Sequence, residues 1–174
     1  LEQSTVCRER TWNVNSKESE QALNLLLNSI QSPSKTKTAT EGKNRESGLW
    51  RIISDGLQST GRSLETTRLE SWALPGLPDV LFMAESGAFS FLELKVVKRR
   101  TGTLRLSPHQ CAWLSRHSSG NCFIVVRDRS LDIGVYAGSD AVDLRMDGFA
   151  AVQALAIFEE PYDWSAFFEL TAPV

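Results

Sequence analysis

Apolar residues recur at helical spacing between residue 45 and about residue 57. Leu49, Ile52, Ile53 and Gly56 stand at positions i, i+3, i+4 and i+7, so they share one face of a helix. A repeat of this kind is typical of a helix that packs that face against a core. The pattern therefore predicts a first core helix over residues 45–57.

Extended segments follow this helix. Thr66 and Thr67 are β-formers in an extended stretch. Residues 73–78 contain two prolines and a glycine, which predicts a loop. Farther on, Gly87 closes a three-residue connection and supplies the positive φ that the last position of such a hairpin loop usually requires. The predicted strands cover residues 63–71, 79–84 and 88–97.

The second half of the chain adds a helix and more strands. Ser107 and Pro108 are a cap and an N1 proline, typical of a helix start, and the helix should end near residue 118. The run CFIVVR, residues 122–127, has the composition of a buried strand. The remaining predictions are a hairpin partner over residues 131–136, a helix near residues 148–158 and an aromatic tail after Pro161. The order predicts an α/β domain with a central sheet.

The ends of the chain differ from this core. A short amphipathic helix is predicted over residues 16–30, and the polar stretch SPSKTKTATEGKN, residues 32–44, is typical of a linker. We therefore expect three parts: a helical arm with its flexible linker over residues 1–44, the core over 45–138, and a helical and aromatic extension of the same domain over 139–174.

Composition bounds the class of protein. The chain has 174 residues and a hydrophobic fraction of 41%, enough for one core without disulfides. Cys7, Cys111 and Cys122 show no zinc-site spacing, so reduced thiols of a cytoplasmic protein are expected. No run of about 18 apolar residues predicts a membrane span, and residues 1–4 do not resemble a secretory signal.

Charge is unevenly distributed along the chain. A formal net charge of −2 argues against a nucleic-acid partner on average. However, residues 93–105 hold five cations and one acid, whereas residues 143–169 hold six acids and one arginine. One end of the domain is therefore suited to face phosphates. The candidate DNA-contacting residues are Lys98, Arg99, Arg100 and Arg105.

Two carboxylates lie symmetrically about the predicted hairpin. Asp79 and Glu93 are equidistant from Ser86, so a simple antiparallel register places them opposite each other on one face. Like charges in that position destabilise a sheet unless a cation lies between them. Convergent carboxylate oxygens are ligands of the kind that Mg²⁺ takes. The pair is therefore a candidate metal site.

Lys95 extends this candidate site. It lies two residues beyond Glu93, on the same face of a strand whose other residues are largely apolar. Such a strand is central and covered, and buried charges there are costly unless they are paired or bind an ion. The alternative is a surface ion pair on an edge strand, with Asp79 as a turn residue.

Two further acids remain as candidates for the same site. Glu46 shares the helical stripe of Leu49 and Ile53, so it points toward the core, although a first-turn acid also stabilises a helix through its dipole. Glu70 lies at the end of the extended segment before the loop that leads to Asp79, where an ordinary exposed glutamate would serve equally well.

These residues resemble a known signature. Gly76-Leu77-Pro78-Asp79, followed by Glu93-Leu94-Lys95, is similar to the GxPD…(D/E)xK motif of PD-(D/E)XK nucleases. The segment LSPHQCAW, residues 106–113, resembles that of the VRR-NUC branch, and Arg68-Leu69-Glu70 resembles a stretch of small phage-encoded members. The resemblance covers residues 46–136.

The resemblance implies a restriction-endonuclease-like αβββαβ core with a central mixed sheet flanked by helices. Asp79, Glu93 and the carbonyl of Leu94 would bind Mg²⁺ or Mn²⁺, Lys95 would orient or activate water, and Gln110 would lie near the site, with Glu46 or Glu70 completing it. The implied activity is DNA hydrolysis by an endonuclease acting on structured or branched DNA. A homodimer is compatible with cutting two strands, and the location would be the host cytoplasm if the chain is phage-encoded. The alternative is a catalytically silent module that binds DNA or a partner.

Overall fold

The computed structural model describes residues 46–62, 64–69, 74–84, 86–118 and 121–172. The chain divides into two units, residues 1–37 and 38–174, and all described residues belong to the second. The predicted helix over residues 16–30 and the linker over residues 32–44 lie outside the described residues.

The described elements follow the order predicted for the core. They are α1 (Glu46–Ser59), β1 (Leu64–Arg68), β2 (Val80–Ala84), β3 (Phe89–Val96), α2 (Pro108–Arg116), β4 (Cys122–Arg127), β5 (Ile133–Ala137), α3 (Ala141–Met146), β6 (Ala156–Phe158) and α4 (Trp164–Thr171). A 3-10 turn, Gly138–Asp140, connects β5 to α3. The αβββαβ order is confirmed, and Gly87 has the predicted positive φ, at 78°.

The described strands form one mixed sheet of six strands in the order β1 to β6. β3 and β4 run parallel, whereas the other neighbouring pairs run antiparallel. A parallel pair requires a crossover connection, and α2 supplies it. The carboxyl ends of β3 and β4 therefore lie at the same edge of the sheet.

Helices cover both faces of this sheet. One core lies under α1 and α4, and its buried residues include Leu49, Ile53, Phe82, Leu92 and Phe167. The second lies under α2 and α3, and its buried residues include Leu106, Leu114, Ile124, Val126 and Leu144. Two covered faces explain why β4 is apolar at nearly every position rather than at alternate ones. No described helix is both long and apolar enough to cross a lipid bilayer.

The C-terminal third departs from the prediction. The helix expected near residues 148–158 is wrong, because Ala156–Phe158 forms β6 and pairs antiparallel with β5. Leu155 and Ile157 are half exposed, at 50% and 54%, while the residues on either side of each are more buried. This alternation has the period of a strand. The aromatic tail after Pro161 forms α4, which begins with the side chain of Asp163 capping the amide of Ala166.

α1 and α4 approach each other at a glycine. Gly56 lies in the interior of α1, where glycine is normally unfavourable by about 1 kcal/mol relative to alanine. The indole ring of Trp164 occupies the space beside it, and a Cβ built on Gly56 would lie 2.0 Å from Cε2 of that ring. The close approach of the two helices therefore requires the absence of a side chain.

Replacing Gly56 with alanine should lower the free energy of unfolding, although alanine is the better helix former. The added methyl group would displace the indole of Trp164, and overpacking of this kind costs about 1–3 kcal/mol. Urea unfolding measured by tryptophan fluorescence checks this. Ser47→Ala, at an exposed position of the same helix, is the control and should change stability little. A Gly56→Ala protein as stable as the parent would contradict the packing.

Candidate active site

The β2–β3 hairpin has the register expected from the sequence. Val80 pairs with Leu92, and Leu81 pairs with Phe91. The same register, continued by one residue, places Asp79 opposite Glu93. Successive side chains alternate between the faces of a strand, so both carboxylates point away from the core under α1 and toward the face that α2 covers.

Glu93 is buried at the centre of the sheet. β3 is the third of six strands, and the residue has 0% exposure. A surface ion pair on an edge strand is therefore excluded for this residue. One carboxylate oxygen, Oε1, accepts hydrogen bonds from Lys95 Nζ at 2.6 Å and from Gln110 Nε2. The other, Oε2, is buried and has no hydrogen-bond partner among the described residues.

Lys95 connects two acids. Its ammonium lies 2.6 Å from Glu93 Oε1 and 3.3 Å from Glu46 Oε1, and its side chain is 13% exposed. Glu46 stands in the first turn of α1, which brings it across from the end of β3. The structure thus places Glu46 at the site, while Glu70 lies outside the described residues.

The side chain of Asp79 accepts a hydrogen bond from β3 at a position where no backbone carbonyl of β2 is paired. The amide of Ala84 donates to the carbonyl of Ala88, so these two residues form a hydrogen-bonded pair of the hairpin. Such pairs recur at every second residue of an antiparallel ladder. Leu94 therefore directs its N–H and C=O toward the position of Pro78. The acceptor of the Leu94 N–H is the side-chain oxygen Oδ2 of Asp79, at 2.8 Å, rather than a backbone carbonyl. Because Pro78 has no N–H, the ladder offers no donor from this side to the Leu94 carbonyl.

The site concentrates negative charge in a desolvated place. Burial, followed by the charge of Asp79, raises the pKa of Glu93 to about 7. Burial also raises the pKa of Asp79, outweighing the hydrogen bond from Leu94 that lowers it. Burial alone would lower the pKa of Lys95, but the charge of Glu93 and the hydrogen bond to it outweigh burial and raise it. The carboxylates therefore favour a proton or a further cation.

Gln110 is held in one orientation by the start of α2. Its backbone amide donates to Ser107 Oγ at 3.1 Å, and its side-chain Oε1 accepts the Ser107 N–H at 2.9 Å, which together form a capping box. With Oε1 occupied, the amide group must present Nε2 to Glu93. The cap of the helix thus determines which end of Gln110 meets the carboxylate.

Gly76 allows the loop before Asp79 to pack on α2. Its φ is 88°, and a Cβ at this position would lie 2.3 Å from the carbonyl oxygen of His109. Glycine is therefore required twice, for its backbone conformation and for the close approach. The contact keeps the loop next to the first turn of α2, which carries Gln110.

Basic residues surround a cleft beside the site. The cleft has a volume of about 830 Å³ and lies at the carboxyl end of β3. Three of the predicted DNA-contacting residues, Lys98, Arg99 and Arg105, line it together with Lys95 and Glu46. Arg129 also lines it and was not predicted. The sequence contains an indication of this role, because Arg129 closely follows a buried strand. Only the parallel pairing of β3 and β4, however, brings the end of that strand to the cleft.

Arg100, the fourth predicted DNA-contacting residue, differs from the other three in its surroundings. Its Nε lies 3.4 Å from Asp128 Oδ2, and both side chains are 13% exposed. It does not line the cleft. The backbone turns its side chain inward, so Arg100 contributes to the packing of the segment rather than to its basic surface.

The residues present fit a divalent cation. Among the described residues no group of three or more His, Cys, Asp or Glu side chains could hold a metal. Mg²⁺ nevertheless uses one or two carboxylates and keeps several waters. Within the described ranges Glu93 Oε2 is buried without a hydrogen-bond partner, and the Leu94 carbonyl has no ladder donor. Asp79 stands across the hairpin from Glu93. These are hard oxygen donors of the appropriate kind.

Comparison with known proteins finds matches among solved structures. No protein-family profile matches the chain, and no curated protein matches it. Among solved structures, Hjc, a Holliday junction resolvase from the archaeal hyperthermophile Archaeoglobus fulgidus, is similar in fold. The sequence identity is 16% and the TM-score 0.39, and the match covers 52% of this chain and 75% of that one. Assignment to the VRR-NUC branch and a phage origin stay predictions.

Without metal, the protein should lose stability as the pH rises from about 4.5 to about 7. The pKa of Glu93 is raised on folding, so its contribution is fully present below the unfolded value and is lost through the folded value. Glu93→Gln should remove this part of the pH dependence, up to about 3 kcal/mol. Unfolding free energies measured in chelator at pH 5 and pH 8 check it.

The control for this experiment is an exposed glutamate. Glu159→Gln should retain the pH profile of the parent, because Glu159 is exposed. Parallel profiles for the parent and Glu93→Gln would show that the buried carboxylate is not the group responsible.

Proposed function

We propose that the chain is a divalent-metal-dependent deoxyribonuclease, an endonuclease that hydrolyses phosphodiester bonds in structured or branched DNA. The observation that carries the proposal is the convergence of Asp79, Glu93 and Lys95 at one place, with a buried carboxylate oxygen that no described residue contacts by a hydrogen bond. Buried charges are costly, so their grouping requires a reason beyond stability.

The metal ligands in this proposal are Asp79, Glu93 and the carbonyl of Leu94. Mg²⁺ or Mn²⁺ bound there would polarise a phosphate oxygen and lower the pKa of a bound water. Gln110 and Lys95 both hold Glu93 Oε1, which leaves Oε2 for a ligand. Asp79 is fixed by its bond to the Leu94 amide.

Lys95 acts in this scheme as a positioned cation. Its pKa is raised, so the ammonium is charged at neutral pH and is unsuited to take a proton from water. A fixed positive charge instead stabilises the negative charge that develops on the phosphate and orients the attacking water. Glu46 supports this role because it is a second carboxylate in contact with the ammonium, at 3.3 Å.

The adjoining cleft supplies the means to hold the substrate. Lys98, Arg99 and Arg105 line it next to Lys95. Phosphate contacts of this kind position nucleic acid without reading its sequence. The overall charge of −2 does not oppose this, because the cations are gathered at one edge of the domain.

A second candidate function is a catalytically silent module that binds DNA or a partner protein. It is favoured by the absence of a three-carboxylate cluster among the described residues. The charged triad weighs against it, because a binding module needs no buried glutamate paired with a lysine.

The purified protein should nick or cut DNA in the presence of Mg²⁺ or Mn²⁺, and chelator should stop it. Lys95→Ala should lower the rate by roughly 10²–10³-fold, as for the loss of one group that stabilises developing charge. A panel of flap, fork, junction, single-stranded and duplex substrates measures activity and preference together. Thermal unfolding confirms that the variant is folded.

Glu159→Gln provides the control, since it removes an exposed acid outside the site, and it should cut like the parent. If Lys95→Ala cuts as fast as the parent, the proposed site is wrong. If no substrate is cut even with Mn²⁺, the silent module is the better description.

A further inference from the structure

The turn between β4 and β5 is held more firmly than an ordinary surface turn. The Leu131 amide donates to the Asp128 carbonyl at 3.2 Å, and the Ser130 amide donates to Asp128 Oδ1 at 2.9 Å. The hydroxyl of Tyr162 donates to the Leu131 carbonyl at 2.6 Å. Leu131 has a φ of 73°, which costs a side-chain-bearing residue about 1–2 kcal/mol. The surrounding bonds therefore fix an unfavourable backbone conformation.

This turn presents Arg129 to the cleft. Arg129 is exposed, and it lines the cleft together with the basic residues of the segment that follows β3. The two contributions come from different places in the chain, one after β3 and one after β4. The parallel pairing of these strands brings their ends together. The cleft thus has cations from two segments, and Glu46 is the one acid among the described residues that line it.

A buried ion pair connects the two segments. Arg100, from the segment after β3, lies 3.4 Å from Asp128 of the turn, and the side chains are largely buried. Two nitrogens of Arg100, Nε and Nη2, have no hydrogen-bond partner among the described residues, so the charge of Asp128 is the compensation shown for this guanidinium.

The space for Arg100 depends on a glycine in β5. A Cβ on Gly134 would lie 3.1 Å from Cε2 of Tyr136 and 3.3 Å from Cζ and Nη1 of Arg100, which is tighter than ordinary contact. Glycine inside a strand weakens it and often marks a close approach. Here the approaching groups are the Tyr136 ring and the guanidinium that reaches Asp128.

We propose that Arg129 contacts a phosphate of the DNA strand in the cleft. In this proposal Arg100 and Asp128 form a positioning pair that holds the turn between β4 and β5 against the segment that follows β3. The inference rests on the proposed function in that DNA is the polymer bound. The ligand chemistry is the sugar-phosphate backbone, because the exposed cationic groups lining the cleft match phosphates. Arg129 belongs to the binding surface, and Arg100 and Asp128 act through it.

Arg129→Ala tests the contact directly. Binding of a labelled DNA fork, measured by fluorescence anisotropy in chelator over a range of NaCl concentrations, should weaken several-fold. The slope of log affinity against log salt should fall by about 1, as for the loss of one phosphate contact. Arg116→Ala, an exposed arginine on α2 that does not line the cleft, is the matched control and should leave both quantities unchanged. An unaltered slope for Arg129→Ala, or no DNA binding by the parent, would overturn the inference.

Asp128→Asn tests the positioning pair, because two explanations predict opposite signs. If charge alone matters, removing a negative charge near the cleft strengthens DNA binding. Loss of positioning weakens it instead, and this is the result expected. Asparagine keeps an oxygen for the Ser130 amide, so the turn is retained. Thermal unfolding verifies that the variant folds.

The double variant separates positioning from general damage. If Asp128 acts through Arg129, adding Asp128→Asn to Arg129→Ala should cost no further affinity. Additive losses, or tighter binding by Asp128→Asn, would contradict the positioning role.

These measurements also separate this inference from the nuclease proposal. Binding is measured in chelator, where no cutting is expected. If DNA is cut with Mn²⁺ but Arg129→Ala binds like the parent, the inference fails and the nuclease remains. If Arg129 contributes to binding and no substrate is ever cut, the inference stands and the nuclease proposal fails.

Discussion

A glutamate carboxylate at 0% exposure in the middle of a six-stranded sheet is the constraint on which the rest of this structure depends. An ionised carboxylate in such a place is strongly unfavourable unless opposite charge and hydrogen bonds compensate it. Lys95 and Gln110 satisfy one oxygen of Glu93, and the other has no hydrogen-bond partner in the described part of the chain. The fold thus keeps a buried carboxylate that is only partly compensated. A hydrophobic residue at this position would have avoided that unfavourable energy.

The backbone around this carboxylate brings the other groups of the candidate site to it. The ladder between β2 and β3 ends at Val80, and the side chain of Asp79, rather than a backbone carbonyl, accepts the Leu94 N–H. The parallel pairing of β3 and β4 then gathers the ends of two strands at one edge, where the cleft lies. Sequence-distant groups meet there because the sheet supports the segments that follow both strands.

The sequence predicted the parts of the site that depend on local periodicity. A three-residue connection fixes the register of the hairpin, and a period of two places Glu93 and Lys95 on one face. The inward turn of Arg100 and the approach of Arg129 depend on pairings between distant segments, which no local pattern encodes. Residues 148–158 were misread as helical because their apolar residues suit either period, and the free edge of β5 decided in favour of a strand.

Gln110 carries a consequence for how sequence variation at this site should be interpreted. The same amide group closes the first turn of α2 and contacts the buried carboxylate. A substitution there disturbs helix nucleation and the surroundings of Glu93 together, so inactivity in such a variant would not distinguish faulty chemistry from a frayed helix. Selection at this position acts through two requirements at once, which leaves glutamine few substitutes.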